Sequence, residues 1–245
     1  VKTVKKGEPG AWKDNDPDRF SIQTGAGGGY RFGENTNIEA EVFYKWLDDL
    51  VVEVPADPSD PNSSSFISKL ANDGIGRAYG MEVLLKRELT AKLYGWIAYT
   101  LSRSERADPY SPSGWRPFEY DQTHILTALA GYRLPHGWEA GVRMRYATGN
   151  PDTFYKGGIY DIDEDEYVPV PGTPWADRIP AFHQLDIRVD KNWKFKWGKF
   201  GVYLDVQNVY LQANPENVGY NFDFEEHYYI TGLPILPSIG FRGEF

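Results

Sequence analysis

The sequence ends Leu236-Pro-Ser-Ile-Gly-Phe-Arg-Gly-Glu-Phe245, and this stretch decides the fold class. Its apolar residues share one parity: Ile239, Phe241 and Phe245. Its polar parity holds Ser238, Gly240, Arg242 and Glu244. A period of two predicts a β-strand with one apolar and one polar face. A final strand that ends on an aromatic residue is typical of bacterial outer-membrane barrels, and a strand of a soluble sandwich is the alternative. We expect Phe241 and Phe245 to form an assembly signal for the barrel-assembly machinery.

The composition is compatible with a membrane barrel and excludes a helical membrane protein. The 245 residues suffice for one large all-β domain. Charged residues make up 25% of the chain, and no apolar run approaches the roughly 20 residues of a membrane helix. A barrel can remain this polar because only alternate residues of each strand face lipid. Aromatic residues are frequent, with 17 Tyr and 8 Trp.

The charge and the cysteine count exclude other classes. With a net charge of −9, the chain lacks the basic surface expected of a nucleic-acid-binding protein. The absence of Cys excludes a disulfide framework and thiol chemistry. No cofactor is predicted. The chain starts at Val1 with no recognisable signal peptide, so if the protein is exported we expect this sequence to be a mature form or an excised fragment.

Alternating segments recur along the chain and predict nine strands. They are Phe20–Phe32, Ile38–Trp46, Tyr79–Lys86, Leu93–Ser104, Leu126–Leu134, Trp138–Tyr146, Leu185–Asp190, Phe200–Gln207 and the terminal strand. We expect residues 1–18 to be a lead-in or a weak first strand and residues 19–245 to form the barrel. The prediction is an all-β, antiparallel up-and-down transmembrane β-barrel of about ten strands. Bacterial barrels have even strand numbers, so a tenth strand is expected in residues 1–18 or at Gly219–Thr231.

Connection lengths favour this up-and-down order over a sandwich. Short connections follow Phe32, Arg87, Leu134 and Asn192, whereas long ones follow Trp46, Ser104, Tyr146 and Gln207. Membrane barrels have short periplasmic turns and long outer loops, and a sandwich has no need of that alternation. Aromatic residues gather beside the short turns, as expected at a membrane interface: Tyr30, Phe32, Tyr132, Trp138, Trp193 and Trp197.

The two faces of the predicted strands have different environments. The residues predicted to face lipid are Val42, Val83, Leu126, Val142, Met144, Ile187, Leu204 and Phe241. The residues predicted to face the lumen are Glu39, Glu41, Glu82, Arg143, Arg145, Asp186, Arg188, Asp205, Gln207, Arg242 and Glu244. Both signs of charge occur on neighbouring strands, which favours an ion-paired interior over a one-sign selective pore.

Several stretches resemble the carboxyl-terminal barrel strands of TonB-dependent outer-membrane receptors. The longest runs Arg178-Ile-Pro-Ala-Phe-His-Gln-Leu-Asp-Ile-Arg-Val-Asp-Lys-Asn-Trp193. The others are Val206-Gln-Asn-Val-Tyr210 with Asn214-Pro215, Gly232-Leu-Pro-Ile-Leu-Pro-Ser-Ile-Gly240, Phe43-Tyr-Lys-Trp-Leu-Asp-Asp-Leu-Val-Val52, and Tyr99-Thr-Leu-Ser-Arg-Ser104 with Phe118-Glu-Tyr-Asp-Gln-Thr-His124. The resemblance covers most of residues 19–245.

The resemblance implies a location in the bacterial outer membrane and a function of the transport class. Such receptors bind TonB and a small nutrient ligand, and their neighbours include outer-membrane lipid and lipopolysaccharide. The quoted stretches include neither the family's plug domain nor its TonB-coupling segment. We therefore expect that this chain alone is not competent for TonB-driven import. Open edges in lipid leave backbone groups unpaired, so the sheet either closes on itself, which we favour, or is the back half of a larger barrel.

Two other kinds of site are weaker candidates. Asp161, Asp163 and Asp165 have the first spacings of a calcium loop, but Glu166 occupies the place of its glycine. An outer-membrane protease of the omptin type would need Asp and His at the outer rim, and this chain offers Asp48, Asp49 and His227. A structural barrel without transport is the remaining alternative.

Overall fold

The computed structural model describes residues 20–54, 69–90, 92–111 and 114–245, which form a sheet of long antiparallel strands. The predicted lead-in, residues 1–18, lies outside the described part. The strands are β1 (Phe20–Phe32), β2 (Thr36–Val54), β3 (Lys69–Arg87), β4 (Leu93–Ala107), β5 (Arg116–Pro117), β6 (His124–Arg133), β7 (Trp138–Ala147), β8 (Pro151–Asp152), β9 (Tyr155–Asp161), β10 (Glu166–Pro171), β11 (Asp177–Arg178), β12 (Phe182–Phe195), β13 (Gly198–Gln207), β14 (Pro215–Tyr220), β15 (His227–Thr231) and β16 (Leu236–Glu244).

The main sheet has ten strands and follows the chain in an up-and-down order. Its path is β1-β2-β3-β4-β6-β7-β12-β13-β16, and the short β5 pairs with β4. All nine predicted strands are present, which confirms the fold class. No helix among the described residues has the length and apolarity needed to cross a membrane.

The sheet is open, so the expectation that it closes on itself is wrong. Within the described residues, β1 pairs only with β2 and β16 pairs only with β13. The path contains nine antiparallel strands, so its first and last strands run in the same direction. Pairing them would require a parallel ladder, whereas every pair along the path is antiparallel.

The register keeps the two faces continuous from strand to strand. Apolar residues lie opposite apolar residues, as in the pairs Ala40↔Val83, Ala128↔Met144, Val142↔Ile187 and Leu204↔Ile239. The sequence does not show which residues of β4 lie on the apolar face, because aromatic rings occur at both odd and even positions of this strand. The register settles it: Leu101 lies opposite Met81, so Tyr94 and Trp96 share the polar face.

Glycine allows tyrosine rings to lie across neighbouring strands on the polar face. A Cβ atom at Gly131 would lie 2.2 Å from the ring of Tyr94, and one at Gly240 would lie 2.2 Å from the ring of Tyr203. Each glycine therefore provides the space that a cross-strand ring fills. These rings therefore cover part of the polar face.

Two of the long connections contain hairpins that the sequence patterns did not predict. β9 pairs with β10, and β14 pairs with β15, in two separate two-stranded sheets. The segment Gly219–Thr231, a candidate tenth barrel strand, instead contributes to β14 and β15. The short pair β8–β11 closes the base of the connection that contains β9 and β10.

Candidate functional site

The polar face of β7 and β12 has an ion-paired centre at Asp186. Arg143 lies directly opposite Asp186, and its Nε donates to Asp186 Oδ2 at 2.8 Å. Arg145 Nη2 lies 3.7 Å from the same oxygen. Asp186 Oδ1 accepts from Gln184 Nε2 at 2.6 Å and from the backbone N–H of Asn208 at 3.0 Å. The carboxylate is 4% exposed, so these donors replace the water that it has lost.

A second ionic group lies on β12 and β13, around Arg188. Its guanidinium donates twice to Asp190, at 2.8 Å each, and approaches Asp205 Oδ2 at 3.8 Å. It also lies over the ring of Tyr203, at 3.8 Å from the centroid. One arginine is thus held by two carboxylates and an aromatic face, which fixes its position on the wall.

The predicted acidic residues of β2 and β3 form no ion pairs in the described part of the chain. Glu41 lies directly opposite Glu82, and Glu39 accepts a hydrogen bond from Asn37. On the β1 side, Gly27 and Gly29 lie opposite Glu41 and Glu39, so no cationic side chain reaches them. The expected mixed-sign pairing therefore does not extend to this end of the sheet.

Three further residues of the predicted polar face lie on β13 and β16. Glu244 accepts from Lys199 Nζ at 2.7 Å. Arg242 lies opposite Gly201, and Gln207 lies opposite Leu236, without an ion pair among the described residues. The edge strand therefore adds one exposed pair to the ionic face and leaves one guanidinium unpaired.

The opposite face of the sheet is apolar and solvent-accessible. Val42, Val142, Ile187, Leu204 and Phe241 are all exposed, whereas Val83, Leu126 and Met144 are half-buried. No large apolar side chain among the described residues is buried, and the buried side chains are polar or charged. This is the reverse of a water-soluble domain, in which the large apolar residues are buried.

A buried polar network joins the outer connections at the ends of β4, β6 and β11. Asp121 is 1% exposed, and its Oδ1 accepts from the backbone N–H of Ser104 at 2.6 Å. Arg178 pairs with the Asp121 carboxylate and donates to the Asp121 and Gly149 carbonyls at 2.6 and 2.9 Å. Spacing along the sequence gives no signal for this network, because 57 residues separate its two charged partners.

The connection between β13 and β16 is held in a similar way by two asparagines. Asn208 has a positive φ of 55° and exchanges hydrogen bonds with the backbone of Gln212. Asn214 exchanges two hydrogen bonds of 3.0 Å with the backbone of His183 on β12. Tyr210 contacts the same histidine at 2.9 Å, and burial raises the pKa of this tyrosine. The base of this outer connection is therefore fixed to the sheet.

The two outer hairpins, β9–β10 and β14–β15, contact each other through aromatic rings. The ring centroids of Tyr155 and Tyr220 are 4.7 Å apart, and Tyr220 Oη accepts from the backbone N–H of Tyr155 at 3.2 Å. Phe224 lies edge-on to Tyr155 at 5.4 Å, and Phe222 lies edge-on to Tyr167 at 5.7 Å. The hairpins form one aromatic cluster on the side of the long connections.

The acidic turn between β9 and β10 does not have the geometry of a calcium loop in the described residues. No group of three or more His, Cys, Asp or Glu side chains in the described residues is arranged to hold a metal ion. Asp161 accepts the backbone N–H of Asp163, and Asp165 accepts the hydroxyl of Tyr160 and raises the pKa of that tyrosine. Two of the carboxylates are thus engaged within the turn, and the arrangement gives no support to the weak metal candidate.

The residues of the protease alternative do not meet. The ring of His227 contacts Phe154 at 5.2 Å and Tyr229 at 5.6 Å. Asp48 accepts the backbone N–H of Asp49 at the outer end of β2. No contact in the described residues joins this histidine to either aspartate, so the geometry gives no support to an acid–base pair.

Comparison with known families identifies the family of this sheet, whose apolar face is exposed and whose buried side chains are charged or polar. The family model described as TonB dependent receptor-like, beta-barrel, matches residues 23–209, which is most of the chain. The chain belongs to the TonB-dependent receptor barrel family. Members of this family are bacterial outer-membrane proteins, and the outer membrane is therefore the location of this chain. Comparison with curated protein sequences finds no match.

Solved receptor structures share the fold at low sequence identity. The FrpB iron transporter from Neisseria meningitidis (F3-3 variant) superposes with a TM-score of 0.59 and 19% identity, over 91% of this chain and 31% of that chain. FpvA of P. aeruginosa bound to heterologous pyoverdines gives 0.58 and 15%, over 91% and 26%. The ferripyoverdine receptor of Pseudomonas aeruginosa gives 0.57 and 14%, over 90% and 26%. The chain thus spans less than a third of these receptors.

In this TonB-dependent receptor barrel, the stretches that carried the resemblance meet in space at the outer ends of the strands. Asp121 and Arg178 come from two of them and form the buried pair, and Asn208 and Asn214 come from a third. The terminal aromatic residues lie at the other end. Phe245 stacks on Trp197 at 5.8 Å and Phe241 on Phe200 at 6.4 Å, and their role in assembly stays a prediction.

Proposed function

We propose that this chain is part of the wall and outer rim of a receptor that takes up a small nutrient ligand across the bacterial outer membrane. The observation that supports this most directly is the aromatic cluster of Tyr155, Tyr220 and Phe224, which joins two hairpins at the outer rim. Rings fixed in this way offer flat apolar surface to a ligand from the medium. A ferric chelate is the first ligand class to test, because the similar structures include receptors for iron and ferripyoverdine.

The two faces of the sheet support a membrane orientation for this receptor. In the proposed orientation, the exposed row containing Val142 and Ile187 contacts acyl chains, and the row containing Arg143 and Asp186 faces the lumen. The short turns then lie on the periplasmic side and the hairpins outside the cell. The ionic groups of β7, β12 and β13 pair opposite charges, which supports a receptor wall over a one-sign selective channel.

The open edges at β1 and β16 support a barrel larger than this sheet. Each edge presents unpaired backbone groups along a long strand, at a cost of several kcal/mol per group in lipid. The similar receptors are three to four times longer than the part matched here, as the 31% and 26% coverages indicate. We infer that further strands pair with β1 and β16 in the assembled receptor and that import depends on those parts as well.

Uptake of iron by intact cells tests the proposal. Deleting the gene should reduce uptake of ⁵⁵Fe from one or more ferric chelates, ferripyoverdine among those supplied, and plasmid-borne wild type should restore it. Tyr155→Ala with Tyr220→Ala should lower uptake at limiting chelate about tenfold, since it removes the rings that fix the rim. Tyr228→Ala, on the other face of β15, is the matched control. Undiminished uptake of every supplied chelate after deletion would exclude a receptor for this ligand class.

A further inference from the structure

Lys191 carries a positive charge on the apolar face of the sheet. It shares the parity of Ile187 and Val189, and it lies opposite Trp138 on β7 and Val202 on β13. A cation in a lipid-facing row is costly unless its side chain reaches the interface and finds partners there. The contacts of this ammonium group therefore indicate the role of a lysine at this position.

The ammonium group lies between two indole rings and one carbonyl. Lys191 Nζ donates to the backbone oxygen of His136 at 2.5 Å. It lies 4.9 Å from the ring centroid of Trp138 and 5.5 Å from that of Trp193. An ammonium has three N–H donors, and within the described residues only one of them has an acceptor. Two donors remain for a group outside the chain.

The turn between β6 and β7 is shaped to hold this carbonyl in place. His136 and Gly137 both have positive φ, of 60° and 79°. A Cβ at residue 137 would lie 2.2 Å from the carbonyl oxygen of Asn192, so only glycine allows the turn to lie against β12. A non-glycine residue rarely adopts positive φ, and here this conformation places the His136 carbonyl against Lys191.

The two tryptophans add donors at the same place. Both side chains are exposed, and neither indole N–H has an acceptor among the described residues. Tryptophan at a membrane interface buries its ring among acyl chains and turns its N–H toward the headgroups. Lys191, Trp138 and Trp193 together leave two ammonium N–H groups and two indole N–H groups without an acceptor among the described residues, and we name this set the lysine–tryptophan site.

The surrounding charges favour an anion on this face. The hairpin between β12 and β13 carries three more lysines, but Lys194 and Lys199 lie opposite each other on the polar face, where Lys199 pairs with Glu244, and Lys196 lies in the turn, so Lys191 is the lysine that charges the apolar face here. The nearest acidic residues are Glu139 on β7 and Asp190 on β12 itself. They lie on the opposite face, where they pair with Arg133 and Arg188. The potential at the lysine–tryptophan site is therefore positive.

We propose that the lysine–tryptophan site binds the phosphodiester headgroup of a phospholipid in the periplasmic leaflet of the outer membrane. The ammonium and the indole N–H groups donate to phosphate oxygens, and the acyl chains cover the neighbouring apolar rings of Phe200 and Phe241. This apolar continuation of the site selects a lipid over a free anion. The inference rests on the proposed orientation, with the short turns on the periplasmic side.

Lipid binding to the complete protein, extracted from outer membranes in detergent, tests the site. The measurement is native mass spectrometry during titration with phosphatidylglycerol. One lysine near an anionic lipid contributes about fivefold in affinity. Lys191→Gln should weaken the most tightly bound lipid by about that factor, whereas Lys191→Arg should retain it. Lys196→Gln, in the turn of the same hairpin, should change the affinity by less than twofold.

The outcomes separate this site from its alternatives and from the receptor function. Equal affinity of wild type and Lys191→Gln would overturn the proposal, and displacement of the lipid by inorganic phosphate would show an ion site instead. If Lys191→Gln does not fold, as judged by heat-modifiable gel mobility, Trp138→Phe with Trp193→Phe removes the indole donors and should weaken binding severalfold. Iron uptake by Lys191→Gln cells should remain at the wild-type level, so failure of uptake and failure of lipid binding are distinguishable.

Discussion

Arg143 and Asp186 lie directly opposite each other on β7 and β12 and are joined by hydrogen bonds, with Arg143 Nη2 2.7 Å from Asp186 Oδ2. One residue along each strand, Val142 and Ile187 also lie opposite each other, but on the other face, and they are 40% and 41% exposed. Of these four side chains Asp186 is the buried one, whereas that of Arg143 is 40% exposed. The register thus puts the ionic and the apolar residues of β7 and β12 on opposite faces of the sheet, as the proposed orientation requires.

The stability of the wall should depend on Asp186. Asp186→Asn keeps the shape of the side chain but leaves Arg143 and Arg145 without a carboxylate. Breaking a buried ion pair costs about 3–5 kcal/mol, and the partial exposure of Arg143 reduces this to about 2 kcal/mol. Unfolding by denaturant from lipid vesicles measures the loss. Asp163→Asn, in the exposed turn after β9, should change the free energy of unfolding by less than about 0.5 kcal/mol. Equal midpoints for both variants would contradict a stabilising role for the pair.

The assignment of faces leads to a matched pair of lysine substitutions. Val83 and Thr100 lie on neighbouring strands, Val83 on the apolar face and Thr100 opposite Glu82 on the polar face. Val83→Lys places a cation in lipid and should destabilise the fold by about 2–4 kcal/mol. Thr100→Lys gives Glu82 a counter-charge and should cost less than about 1 kcal/mol. Unfolding from vesicles compares the two variants, and the opposite order of stability would mean that the faces are reversed.

Cysteine cross-linking tests whether further strands lie between β1 and β16. The chain has no Cys of its own, and a Cβ at Gly28 meets no atom within 4 Å. Gly28→Cys with Ala40→Cys joins directly opposite residues and should form a disulfide. Gly28→Cys with Ile239→Cys should not, since β1 and β16 are unpaired edges. Efficient cross-linking of the second pair in the membrane would show that the sheet closes on itself.

Sequence patterns predicted the barrel strands because each face has a constant environment along a strand. β1, a glycine-rich segment, is predicted with the bounds that the structure has, and β7, where the period of two is strongest, to within one residue. The same patterns missed β9 and β14, because a hairpin surrounded by water and other loops has no constant apolar face. The pattern also could not predict whether the sheet closes, since closure depends on which strands pair with β1 and β16.

The sequence predicted the residue types of the ionic face but not their partners. Alternation placed Asp186 and Arg143 on one face, and only the register brings them opposite each other. The pairing of Asp121 with Arg178 depends on how three connections meet, and no periodicity encodes it. Glu41 and Glu82 differ from these pairs. They belong to the predicted polar face, but the register brings the two carboxylates opposite each other without a cation.

The turn between β9 and β10 should have a pH-dependent hydrogen bond. The Asp165 carboxylate accepts the hydroxyl of Tyr160 and raises the pKa of Tyr160 above its ordinary value of about 10. Because the folded pKa is the higher one, the stabilisation is complete below about pH 10 and is lost as the pH rises through the folded pKa. NMR titration of ¹³C-labelled tyrosine, assigned with Tyr160→Phe, measures the value. Asp165→Asn should return the pKa of Tyr160 toward 10, and Asp163→Asn should leave it unchanged.

The aromatic cluster should couple the two outer hairpins. Tyr220→Ala removes a ring contact of 4.7 Å and the acceptor for the backbone N–H of Tyr155. An aromatic pair contributes about 1 kcal/mol, so the amides of β9 should exchange with solvent about fivefold faster although the substitution is on β14. Hydrogen exchange followed by mass spectrometry of peptides spanning residues 155–161 measures the change.

Tyr228→Ala is the matched control for this coupling, because Tyr228 packs over Gly219 of its own hairpin and lies on the face away from His227 and Tyr229. It should leave exchange in β9 at the wild-type rate. If both variants accelerate exchange equally, the substitution has loosened the β14–β15 hairpin itself. If neither does, the hairpins open independently, and the rings of β9 and β14 do not hold the rim as one unit.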